Sequence, residues 1–375
     1  MAIDVDLSNL PAPARKVLGD GAPAPMRMMA AKGVLPGAKP ADVVTVVAVL
    51  SGDGDKKVAT AATETLTKLP APILNGALDA DLPEAVIAVL AEHYVSDSGV
   101  VEKLLRMPRL GQSALEKLAD GADEALGELI AVNEERLLTM PTVIEKLYLN
   151  KKVRMSTTDR LLELAVRNDV TLDIPAFAQA AQAIQSQLIP EASEEKTFDD
   201  NLFDEVSELA EEANADAEDD AEETFEVDEE SGEEKPKEKF VPLYVKVADM
   251  SVTAKIRTAM LGSAAERSLL VRDKNRLVAT AAVQSPKMRE NEAVQISASR
   301  AVSEDVLRII ARNREFTRSY QVKLNLVRNP RTPFTFASAM VAHLRDVDLR
   351  QLSRSKNVPG QISRAARQQL SRKKK

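Results

Sequence analysis

The chain has 375 residues, 44% of them apolar, enough for two or three folded units rather than one small domain. Aromatics make up 3%, and Trp and Cys are absent, which excludes disulfides, thiolate nucleophiles and Cys-based zinc sites and points to close-packed helical cores of Ala, Leu and Val. The net charge of −8 hides a division: residues 1–190 carry 19 Lys/Arg against 25 Asp/Glu, residues 191–239 carry 4 against 23, and residues 240–375 carry 27 against 10.

The N-terminus has no basic start followed by a continuous apolar core, so no secretory signal is read there. The longest apolar run, about Val43–Leu50, falls short of the roughly 20 residues of a membrane span. A soluble, cytoplasmic protein is expected. Residues 1–39 are rich in Pro and Gly and read as short helical pieces separated by turns. From Pro40 a regular rhythm begins. Stretches with helical apolar spacing, such as ADVVTVVAVL, KKVATAATETLTKL, PEAVIAVLAEHYV and PTVIEKLYL, alternate with short polar or Gly/Pro breaks. Breaks every 10–17 residues put one helix pair at about 24–30 residues, the period of stacked helical hairpins. This defines an N-terminal helical repeat domain over 40–190.

Residues 191–239 carry too much charge and too little apolar surface to offset the entropy of ordering, and a disordered acidic linker is expected. Within it, Phe198, Leu202, Phe203, Val206 and Leu209 fall on one side of a helix over 198–210. That cluster reads as chance, as an extension of the N-terminal domain, or as an amphipathic helix that docks on a groove. The tract is long enough to fold back on the basic module that follows.

In that module, 240–375, Phe240–Val247 is the one stretch that could be extended; Pro242 argues against a central strand, and the stretch is read as a segment lying across the first helix pair. Asp249 or Ser251 would cap the helix after it. Eight helical stretches follow, from SVTAKIRTAML to QISRAARQQL. Helix ends echo one another at Arg167-Asn168, Arg312-Asn313 and Arg328-Asn329. Asn suits a left-handed cap and Arg the helix dipole. The short helices ending in RN or RNP, followed by T-P or S-E-D-V-L, resemble HEAT-like repeats and leucine-rich-repeat-variant α-solenoids. Residues 249–370, through AKIRTAMLG, VSEDVLRIIARNREF, LNLVRNPRTP and HLRDVDLRQLSRSKNVP, resemble a C-terminal module of uncharacterised bacterial proteins. The resemblance implies an α-solenoid and carries no catalytic residue. The fold expected is all-α: two α-helical repeat domains joined by a disordered acidic linker.

Catalytic constellations are missing from the sequence. The only histidines, His93 and His343, read as partly buried helix residues, and GDGDKK at 52–57 reads as a turn. Phosphate-loop and nucleophile-elbow motifs are absent. Glycosylases built of HEAT-like repeats hold damaged bases with Trp and Asp, and this chain has no Trp. Neither enzyme, metal, cofactor nor small-molecule substrate is expected. The binding candidates are the cations Lys255, Arg257, Arg267, Arg272, Lys274, Arg276, Arg312, Arg314, Arg328, Arg331, Arg354, Lys356, Lys373, Lys374 and Lys375. Lined along one edge, they would take an acidic protein partner, with the acidic tract as internal competitor. Nucleic acid is the alternative ligand, although side chains for base stacking are scarce.

Overall fold

The computed structural model describes residues 5–6, 8, 10–19, 21–185, 195–214, 224–227, 233–355 and 357–373. Among these residues the regular structure is almost wholly helical, with a single two-stranded ribbon. Its contacts divide it into two compact units, Met1–Val153 and Arg154–Lys375.

The first unit holds α1 (Ala12–Leu18), α2 (Ala24–Ala31), α3 (Pro40–Leu50), α4 (Lys56–Thr67), α5 (Ala71–Leu78) and α6 (Glu84–His93). It continues with α7 (Ser98–Leu105), α8 (Gln112–Gly121), α9 (Glu124–Ala131), α10 (Glu134–Leu138) and α11 (Pro141–Leu149). Pro in the first turn of α3, α5 and α11 costs no hydrogen bond there. The carboxylates of Asp55, Asp97 and Asp123 accept from backbone N–H groups at the starts of α4, α7 and α9. Val58, Ala62 and Leu66, four apart, are wholly buried along one face of α4. Helices two apart in sequence pack together: α1 on α3, α2 on α4, α3 on α5, and α6 on α8. Polar cross-links follow the same register. Arg27 pairs with Asp53 at 2.7 Å, Tyr94 donates to the Leu66 carbonyl at 2.5 Å, and Asn150 donates to the carbonyls of Ala119 and Ala122 at 2.9 and 2.8 Å.

The second unit begins with α12 (Met155–Arg167), α13 (Phe177–Ile184) and α14 (Phe198–Asn214), then strands β1 (Phe225–Val227) and β2 (Glu234–Pro236). There follow α15 (Val241–Asp249), α16 (Val252–Leu261), α17 (Ala264–Leu270), α18 (Arg276–Val283), α19 (Glu290–Ala298) and α20 (Glu304–Arg312). The last four are α21 (Tyr320–Arg328), α22 (Phe334–Val341), α23 (Asp346–Arg354) and α24 (Gly360–Lys373). One layer stacks α13, α16, α18 and α20; a second stacks α15, α17, α19 and α21.

Several expectations are corrected here. The described parts of the acidic tract are ordered: α14 packs on α12, α15, α16 and α17, burying Leu202, Phe203, Val206, Ala210 and Ala213. Five apolar residues on one stripe offset the ordering entropy that the surrounding carboxylates oppose. Of the predicted stripe, Phe198 is exposed and Leu209 only half-buried. Residues 191–194, 215–223 and 228–232 lie outside the described residues. Residues 241–249 form a helix, not an extended segment. Pro242 sits in its first turn, where no N–H is needed, and Leu243 and Val247 bury one turn apart. Ser251 caps α16 as expected. Helix α17 opens with a capping box, Ser263 with Glu266 three residues on. None of the three repeated asparagines is left-handed: Asn168, Asn313 and Asn329 have φ of −102°, −74° and −75°, and the left-handed residue is Asp169. His343 lies exposed in a turn rather than in a helix.

Candidate acidic-segment cradle

Arg272 follows the last turn of α17, and Ser299 and Arg300 follow the end of α19, which packs beside α17. The Arg272 guanidinium is fixed from below by its own turn: Nη1 donates to the Ser268 carbonyl at 2.7 Å and to Ser268 Oγ at 3.1 Å. Its Nε donates to Glu234 Oε2 at 2.9 Å. The same carboxylate accepts from the Ser299 hydroxyl at 2.8 Å and, through Oε1, from the Arg300 N–H at 2.9 Å. Three donors from two helix ends thus converge on one carboxylate, which belongs to the acidic tract. Phe225 lies over the guanidinium at 4.0 Å, a cation–π contact that completes the seat.

The tract reaches this position as an antiparallel ribbon, with Phe225 opposite Pro236 and Val227 opposite Glu234. Lys237 N–H donates to the Thr224 carbonyl at 3.0 Å and closes it. The Ser299–Arg300 turn is in turn held by Asn329, whose Nδ2 donates to the carbonyls of Ser297 and Ser299 at 3.0 and 2.7 Å. Asn329, predicted as a helix cap, therefore positions the cradle. An open cleft of about 330 Å³, bounded by Phe225, Ser268, Gln295 and Ala298, surrounds the ion pair. Burial by itself would raise the Glu234 carboxyl. The Arg272 charge and the Ser299 and Arg300 hydrogen bonds outweigh it and hold the group below the ordinary carboxylate range. For Arg272, burial holds the guanidinium below its ordinary range, and Glu234 offsets only part of that effect. The arrangement recognises a carboxylate by charge and by directed N–H and O–H donors.

The remaining predicted cations separate by environment. Arg257 is fully buried, with its guanidinium 5.0 Å from the Phe203 ring, and Arg267 is buried in a two-pronged pair with Glu292 at 2.8 and 2.9 Å. Neither lies on a binding edge, because α14 and α19 cover them. Lys255 pairs with Asp273 at 3.2 Å, Arg328 with Asp348 at 3.4 Å, and Lys373 with Asp346 at 2.9 Å. Arg331 donates to the Val302 carbonyl at 3.2 Å. Lys274, Arg314 and Arg354 are exposed, and Lys356, Lys374 and Lys375 lie outside the described residues. Arg276 and Arg312 share a groove with Arg308, which sequence reasoning passed over. Nothing in local spacing marked Ser299, Arg300 or Glu234, since they meet only when α17, α19 and the ribbon come together. Among the described residues, no group of three or more His, Cys, Asp or Glu could hold a metal ion, and no helix is long and apolar enough to cross a membrane.

Comparison with known protein families, curated proteins and solved structures found no match for this chain.

Proposed function

We propose that this chain is a non-enzymatic scaffold of HEAT-like helical repeats whose C-terminal unit captures acidic polypeptide segments. Glu234 stands in for the ligand and acts as internal competitor. The supporting observation is the convergence of Arg272 Nε, Ser299 Oγ and the Arg300 N–H on one carboxylate of the acidic tract. The repeat reading rests on side-chain cross-links that recur 24–32 residues apart in both units, such as Lys103 with Asp79 and Asn329 with Ser297. A cytoplasmic setting accords with the absence of Cys.

The test is fluorescence anisotropy with a labelled poly-glutamate peptide on the full chain. Replacing Glu234 by Ala vacates the cradle and raises affinity about tenfold, as expected when a charge-assisted contact stops competing. Adding Arg272→Ala to that variant removes the gain. Equal affinity of Glu234→Ala and wild type at low salt would overturn the reading. A single-stranded RNA of equal charge is the control. Tighter RNA binding, with affinity falling by several powers of the salt concentration, would favour the nucleic-acid alternative instead.

A further inference from the structure

The opposite layer of the same unit carries a second, larger groove of about 550 Å³, formed by α13, α18 and α20. Three arginines reach it: Arg276 at the start of α18, and Arg308 and Arg312 one turn apart on α20. Asp305 holds two of them, accepting from Arg276 Nε at 2.8 Å and from Arg308 Nη1 at 3.0 Å. Arg308 Nη2 also meets Glu304 at 2.7 Å, and Arg312 stands 5.7 Å from the Phe336 ring. Each guanidinium has five N–H donors, so these contacts use a minority of those present.

The rest of the lining is uncharged and mixed. Gln179 donates to Gln284 at 3.1 Å, and Gln182 lies exposed one turn along α13. Leu277 and Ile309 supply half-buried apolar floor. Primary amides both donate and accept, as a polypeptide backbone requires, whereas stacked bases would require aromatic faces that this lining lacks. We propose that this groove is a second binding site, for an extended peptide that alternates apolar and acidic residues. Its apolar side chains rest on Leu277 and Ile309, its carboxylates pair with Arg276, Arg308 and Arg312, and its backbone meets Gln179, Gln182 and Gln284. The inference rests on the acidic-segment reading above and adds a site in a different layer, so a ligand long enough to reach both would bind bivalently.

The experiment uses the full chain carrying Glu234→Ala and Arg272→Ala, which disables the cradle, with a labelled peptide of alternating Leu and Glu as probe. Residual binding is expected, and Arg308→Glu with Arg312→Glu abolishes it. Because charge reversal can unfold a helix, Asp305→Asn provides the opposite arm. Releasing Arg276 and Arg308 from their internal acceptor raises affinity about fivefold, the scale of an exposed ion pair. No residual binding in the cradle-disabled chain, or no response to Asp305→Asn, overturns the groove while leaving the cradle reading intact. A single-stranded oligonucleotide that binds the same variant more tightly than the peptide would also overturn it.

Discussion

At the scale of single residues, the most consequential group is Asp159, which no sequence pattern singled out. Its Oδ2 accepts from the Thr253 hydroxyl at 2.8 Å, while Oδ1 is buried without a partner. Arg257, also fully buried, packs beside it with Nη1 3.6 Å from Met155 Sδ. Burial pushes the Asp159 carboxyl up to about 7, against the pull of Thr253 and Arg257 and with a small push from Asp199 and Asp200. The folded value exceeds the unfolded one near 3.8, so the stability this group contributes is present in full below about pH 4 and is lost as pH rises towards 7. A shift of that size corresponds to about 4 kcal/mol. Urea midpoints of the wild type should therefore decline from pH 5 to pH 8, and Asp159→Asn should flatten that decline. Parallel pH profiles for the two proteins would show that the carboxyl stays ionised in the fold.

At the scale of elements, α14 shows how a strongly acidic helix is retained. Asp200 anchors its start, accepting from the Ser156 N–H and hydroxyl at 2.8 and 2.9 Å and from the Thr197 N–H at 2.8 Å. Burial opposes that charge, but the four hydrogen bonds from Ser156 and Thr197 prevail and keep the carboxyl below its usual range. Asp200→Ala should destabilise the unit by about 2 kcal/mol, as for a strong N-cap, whereas Phe198→Ser should change stability little because Phe198 is 71% exposed. Hydrogen exchange across 198–214 reads both. Unchanged protection in Asp200→Ala would mean that the stripe of Leu202, Phe203 and Val206 holds the helix alone. The stripe was legible from spacing, although its length and its packing neighbours were not. Strong apolar periodicity likewise announced α16, α18, α20 and α21.

At the scale of the whole molecule, the charge division seen along the sequence does not coincide with the division into units. The unit Arg154–Lys375 contains 34 Lys/Arg and 37 Asp/Glu, because the acidic tract belongs to it together with α12 and α13. Glu234 with Arg272, and Glu205 with Lys246 at 2.7 Å, pair across that charge division. Residues 240–375 on their own would lack α12–α14 and expose the apolar surfaces of α15–α18 that those helices cover. Expressed separately, 154–375 should unfold cooperatively in urea, while 240–375 should aggregate or melt without a cooperative transition. A sharp transition of 240–375 at the same midpoint would show that the acidic helix adds nothing to the fold.

The sequence by itself determined the helical class and the polarity of charge along the chain, because helix-forming spacing and composition are local properties. It also determined which residue types were available for binding. Only the tertiary structure decided which cations serve the core and which face a ligand: Arg257 and Arg267 read no differently from Arg272 until their helices packed. It alone brought Glu234 to Arg272 and Ser299, 38 and 65 residues further along the chain, since a site assembled from helix ends and a ribbon leaves no signature in any one stretch of chain.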